Sequence, residues 1–206
     1  MYVMILNGEA VVIDPCEDKE LINLFEDNHI TIVHVLLTHE HYDHVSGIKW
    51  LKDNYQTILY CQRQCAEVLV SKKGSNPALV ALVFADQDKQ DGGHRYLEFK
   101  SKFEPYSVQA DRVFDTYDSF RIGDFEIEGT STPGHSPGCA CYQLNDDIVF
   151  TGDSLLQYDP VIIRFADSRK NLYDEKTLPY LRSLKNTMVA LPGHGNPFIL
   201  SETKNI

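Results

Sequence analysis

The run THEHYDH, residues 38 to 44, sets His39, His41, Asp43 and His44 close together in the chain. Three later stretches add one donor each: TPGHSPG brings His135, FTGDS brings Asp153 and PGHG brings His194. Imidazole and carboxylate are ligands of catalytic zinc, which takes roughly three protein donors and keeps a position for water. In an extended segment residues 39 and 41 point the same way, so both imidazoles can chelate one ion. A turn just after them would hand Asp43 and His44 to a second ion. His135 and His194 could complete one ion each, and the two oxygens of Asp153 could bridge both. The remaining histidines, His29, His34 and His94, stand alone and read as solvated or capping residues. Asp14, in VVIDP, is either a plain strand end or an acceptor that orients a ligand imidazole.

Such donors need a scaffold that brings four loops to one edge, and the pattern supplies candidates. Two apolar runs flank Asn7-Gly8, a strong hairpin signal because both residues tolerate positive φ. EDKELINLFEDN carries Leu21, Leu24, Phe25 and Asn28 at helical spacing, TIVHVLL reads as a buried strand, and VSGIKWLKDNY as a second helix before the strand TILYC. DSFRIG, FEIEGTST, CACYQL and DIVFTG are short strands between turn residues. DEKTLPYLRSL is a helix started or kinked at Pro179, and TMVAL is a last strand. Each donor loop therefore follows a strand, the usual place for binding groups. Two sheets with helices outside, an α+β or α/β layered body, fit this order.

Residues 62–111 are harder to read. RQCAEVLVSKK and NPALVALVFAD look helical, whereas the charged stretch after them, with Tyr96, Phe99, Phe103 and Tyr106, reads as a long connection over the body. It is either a lid or a contact surface, such as a homodimer contact, or an exposed hairpin with its aromatics tucked into the core.

A length of 206 residues suits a single domain. Nineteen Lys and Arg against thirty Asp and Glu give a net charge of −11, which disfavours nucleic acid as a partner and is compatible with bound cations. The start lacks the features of a secretory signal, and no apolar run approaches the ~18 residues of a membrane span, so a cytoplasmic protein without a membrane partner is expected. The cysteines, Cys16, Cys61, Cys65, Cys139 and Cys141, form neither a disulfide framework nor a zinc ribbon and read as buried thiols.

HxHxDH, then TPGH, TGD and PGHG in that order resemble the metallo-β-lactamase superfamily over nearly the whole chain. The resemblance implies a single-domain four-layer αβ/βα sandwich over residues 1–206, with two zinc ions at one edge. It assigns His39, His41 and His135 to the first ion, Asp43, His44 and His194 to the second, and Asp153 to both. Because true β-lactamases carry Cys or Ser where Asp153 stands, antibiotic hydrolysis is not the expected activity. The pattern looks most like the glyoxalase II group. It departs from that group in lacking a Gly-Arg pair after TGD, having only Arg164 and Arg169 there. With about a dozen residues past His194, a glutathione-binding extension is also not expected.

The resemblance thus implies a dinuclear zinc hydrolase acting on a small-molecule thioester, ester or lactone. A hydroxide held between the ions would attack the carbonyl, Asp43 would orient it, and Asp153 would hold the pair together. Tyr42 and Tyr158 are candidate donors beside the site or plain packing residues. The alternatives are a mononuclear iron enzyme like the persulfide dioxygenases, with a Cys at 139 after TPGH, and a phosphodiesterase.

Overall fold

The computed structural model describes residues 1–71 and 77–206. β1 (Tyr2–Ile5) and β2 (Glu9–Ile13) form the antiparallel hairpin expected at Asn7-Gly8. α1 (Lys19–Asp27) starts at Asp18, whose carboxylate accepts from Glu20 N–H at 2.8 Å, satisfying one of the free donors of the first turn. β3 (Ile32–Leu36), α2 (Tyr42–Val45), α3 (Ile48–Asn54), β4 (Gln56–Gln62) and α4 (Arg63–Leu69) follow, then α5 (Ala78–Asp91), α6 (Arg95–Lys102) and β5 (Arg112–Phe114). The first sheet has the order β1-β2-β3-β4-β5, parallel from β2 onward.

The second sheet comprises β6 (Tyr117–Ile122), β7 (Phe125–Ser131), β8 (Ala140–Leu144), β9 (Ile148–Gly152), β10 (Val189–Pro192) and β11 (Phe198–Ile199). Its order is β11-β10-β9-β8-β7-β6, antiparallel except for β9 beside β10. That parallel pair needs a crossover. α7 (Lys170–Leu172), a π-helical turn over Tyr173–Thr177 and α8 (Leu178–Ser183) provide it. Pro179 lies in the first turn of α8, where its missing N–H costs nothing.

Alternation along β2 explains the layering. Ala10 and Val12 join the apolar cluster under α1, α3 and α4, whereas Val11 and Ile13 join the cluster between the sheets with Leu36, Ile127 and Tyr142. A third cluster seats Leu181 and Leu184 on the outer face of the second sheet. The chain is therefore a single-domain αβ/βα sandwich. Among the described residues no helix is long and apolar enough to cross a membrane.

The stretch after Asp86 departs from the expected long connection. α5 continues to Asp91 and ends at Gly92, which takes φ 75° as a left-handed cap. Asp88 then accepts from the backbone N–H groups of Arg95 and Tyr96 and starts α6. Charge and paired glycines, read as a loop, are here the punctuation of a helical hairpin. Phe99 and Phe103 turn toward Tyr42, with ring centroids 5.7 and 5.5 Å from it, and Tyr106 packs against the cluster under α1, α3 and α4. The end of the helix expected over RQCAEVLVSKK, at residues 72–73, lies outside the described residues.

Candidate metal centre

The donors arrive as strand direction dictates. His39 to His44 follow β3, His135 follows β7, Asp153 follows β9 and His194 follows β10. β7, β9 and β10 run the same way, so their C-terminal ends share one edge, and the β3 loop meets them from the facing sheet.

All seven residues converge. One ligand atom from each of His39, His41 and His135 lies within 4.8 Å of the other two. The same holds for His39, His44 and Asp153, and for Asp43, His44 and His194. Asp153 stands between the outer groups: Oδ2 lies 3.5 Å from His135 Nε2 and 3.6 Å from His194 Nε2, and Oδ1 lies 3.6 Å from His44 Nε2.

The orientation of each ring is fixed from behind. Asp14, at φ 52°, accepts from Thr38 N–H at 2.7 Å, from the Thr38 hydroxyl at 2.6 Å and from His44 Nδ1 at 2.8 Å. With its proton committed to Asp14, Thr38 Oγ1 accepts from His39 Nδ1 at 3.1 Å. His135 Nδ1 donates to the Ile162 carbonyl at 2.8 Å. Each of these contacts holds a proton on Nδ1 and turns Nε2 inward, the ring orientation a metal ligand needs. Gly193 closes the cradle, since a Cβ there would fall onto Asp153 Oδ1 and within 2.6 Å of His44 Cε1.

The donors fit a bound cation. His39 Nε2, His44 Nε2 and Asp153 Oδ1 are buried and have no hydrogen-bond partner, an arrangement that is expensive for polar atoms unless something else satisfies them. Burial, and then the neighbouring imidazoles, hold His39 well below the usual histidine range. Burial and His135 bring His41 down to about 4. Burial also pulls His44 down, but the carboxylates of Asp14, Asp153 and Asp43 outweigh it and lift His44 to about 9. Burial works against the Asp43 carboxylate too, yet the hydrogen bond from His194 and the charge of His44 hold it at about 2. One half of the cluster thus offers neutral lone pairs, and the other offers negative charge that attracts a positive ion.

Several residues differ from their sequence reading. His34 is buried, not solvated: Nε2 lies 2.9 Å from Glu9 and Nδ1 3.3 Å from the Tyr60 hydroxyl. His29 and His94 are exposed. Asp14 takes the role of orienting acceptor. Tyr42 packs on Phe99 and Phe103, and Tyr158 is 80 % exposed. Four cysteines are buried and Cys16 is half-buried. Thr38 and Phe165 went unread. Thr38 had a signal in its place just before the first histidine, whereas Phe165, 5.1 Å from His41 and 5.3 Å from His135 between ring centroids, had none.

Comparison with known proteins gives the family. Over 195 residues the chain is 24 % identical to the probable metallo-hydrolase YqgX of Bacillus subtilis (strain 168), covering 94 % of this chain and 80 % of that one. It is 30 % identical over 147 residues to a hydroxyacylglutathione hydrolase of Pelagibacter ubique (strain HTCC1062), covering 71 % of this chain but 46 % of that protein. Among solved structures, the BLEG-1 B3 metallo-beta-lactamase superposes with a TM-score of 0.71 at 25 % identity, covering 97 % of this chain and 88 % of that one. The model of the metallo-beta-lactamase superfamily matches residues 1–194, and the chain, with its His/Asp cluster at the sandwich edge, belongs to that superfamily.

Proposed function

We propose that the protein is a dinuclear zinc hydrolase that cleaves a thioester, ester or lactone. The observation that carries this reading is the convergence of His39, His41 and His135 beside Asp43, His44 and His194, with the orphaned Asp153 Oδ1 between them. His39, His41 and His135 would hold one ion, Asp43, His44 and His194 the other, and Asp153 would touch both. Paired divalent ions, when bound, supply a nucleophilic water at neutral pH and a Lewis acid for the carbonyl oxygen.

The protein's own part is orientation. Asp14, Thr38 and the Ile162 carbonyl hold three imidazoles in the ligating orientation. Asp43 and His194, with side chains 39 and 56 % exposed, form the open side through which substrate and water enter. A likeness to hydroxyacylglutathione hydrolase favours a thioester. BLEG-1 shares the fold at 25 % identity, but Asp153, where β-lactamases carry Cys or Ser, argues against a β-lactam substrate.

Elemental analysis of protein purified without added metal or chelator tests the metal, with about two zinc ions per chain expected. One iron with little zinc would overturn the reading in favour of oxygen-dependent chemistry. Turnover of thioester, lactone, phosphodiester and cephalosporin chromogens, with and without chelator, tests the reaction. Asp43→Ala is expected to abolish most turnover while heating still gives a cooperative unfolding transition, and His135→Ala to lose the first ion preferentially.

A further inference from the structure

We infer, resting on the hydrolase reading above, that Phe165 sets substrate specificity and that the substrate carries an uncharged, straight-chain apolar acyl group. The segment 161–166 follows β9 and passes beside the first triad. Its exposure alternates residue by residue: Val161, Ile163 and Phe165 are half-buried, and Ile162, Arg164 and Ala166 are exposed. Residues 161–164 lie in neither helix nor turn, and the alternation there sets one row of side chains inward up to Phe165, where a turn closes with Ser168 N–H donating to the Phe165 carbonyl at 3.1 Å. The inward row is wholly apolar and spans roughly 13 Å at extended-chain rise.

An inward apolar row ordinarily faces the core, but this one does not. None of its three residues joins the three apolar clusters that make up the interior. Phe165 instead lies edge-on to two imidazoles, at 76° to His41 and 86° to His135. An apolar row that ends on ligand-bearing rings and stays half accessible is a wall for an apolar group whose reactive carbon sits over the first triad. Hydrolysis there would break the acyl–oxygen or acyl–sulfur bond, with water giving its hydroxyl to the acyl carbon and its proton to the leaving group. The opposite side, at Asp43 and His194, is open, so the leaving group meets few constraints.

The wall is preorganised. Phe165 N–H donates to Ser168 Oγ at 3.1 Å, and the Ser168 hydroxyl donates to the His135 carbonyl at 2.6 Å. Arg169 N–H donates to the Gly134 carbonyl at 2.8 Å. At the other end, Thr203 Oγ1 donates to the Gln157 carbonyl at 2.8 Å, and Asn205 Nδ2 to the carbonyls of Leu156 and Asp159 at 2.9 and 3.0 Å. Both ends of the segment are therefore anchored before substrate arrives, which favours binding.

The test compares p-nitrophenyl hexanoate with p-nitrophenyl acetate, in kcat/KM, on the zinc-loaded chain and on Phe165→Ala and Phe165→Leu. Burying two of the four extra methylenes at about fourfold each gives about fifteenfold preference for hexanoate. Phe165→Ala is expected to bring that ratio near one by losing hexanoate turnover far more than acetate turnover, with zinc content within twofold of the parent, and Phe165→Leu to restore most of it. A flat chain-length profile in the parent, equal losses on both esters, or loss of zinc from Phe165→Ala would overturn the assignment. Calorimetric binding of hexanoate against acetate gives a second readout independent of turnover. Absence of chelator-sensitive turnover on any ester counts against the hydrolase reading. A hexanoate preference abolished by Phe165→Ala would still uphold the apolar wall, and its absence would remove it.

Discussion

Asp14 and His44, thirty residues apart, meet at 2.8 Å between Oδ2 and Nδ1, and the same carboxylate ties down Thr38 through two further bonds. One side chain at the end of β2 therefore orients two of the imidazoles, His44 directly and His39 through Thr38. Asp14→Asn keeps the shape and tolerates the positive φ, but replaces one acceptor oxygen with a donor. It is expected to lower metal affinity by about 10- to 100-fold, the usual cost of losing such a partner. Competition with a graded set of chelators measures this, and unchanged affinity would show that His44 needs no such support.

The stability of the chelator-stripped protein is expected to fall as pH rises from neutral toward 10. His44 stands at about 9 in the folded chain, above its ordinary 6.5. A raised folded value contributes stability that is fully present below about 6.5 and is lost as pH climbs through about 9. At most this amounts to about 3 kcal/mol. Urea midpoints between pH 6 and pH 10 report it. Saturation with zinc is expected to remove or reverse the slope, because binding then requires the deprotonated ring.

Gly193→Ala is expected to reduce turnover by at least about tenfold while costing the fold about 1 to 3 kcal/mol, the range typical of overpacking. The added methyl would press on Asp153 Oδ1 and His44 Cε1, atoms that belong to the donor cluster and not to a core. Zinc content and thermal midpoint, measured together, separate a distorted site from a weakened fold. Full activity in this variant would mean that the Asp153 carboxylate can move aside without consequence.

How far the chain could be read depended on whether the relevant physics was local. Two-residue alternation in β2, helical spacing of Leu21 and Phe25, and donor clusters at strand ends are local patterns, and the layers and the converging loops follow from them. His34 was misread because its burial depends on Glu9 and Tyr60, 25 and 26 residues away, and a lone histidine carries no mark of such partners. α6 was missed because Gly92-Gly93 reads equally well as a loop or as the stop between two helices. The choice rests on Asp88 reaching forward to the N–H groups of Arg95 and Tyr96. Phe165 had no signature at all, since its neighbours in space are ligands from two other loops.

The α5–α6 hairpin has not one fully buried side chain among those described, and Leu82 and Leu97 are more than three-fifths exposed. Its hold on the sandwich rests on few buried side chains, so it is expected to behave as a separate unit of cooperativity whose amide protons exchange through local opening before those of the sandwich. Its aromatic anchor is Tyr42, the residue between His41 and Asp43. Fluctuation of this unit is thus coupled by direct contact to the loop that carries the donors, and slowing of hydrogen exchange in α6 on zinc addition would be the sign of that coupling.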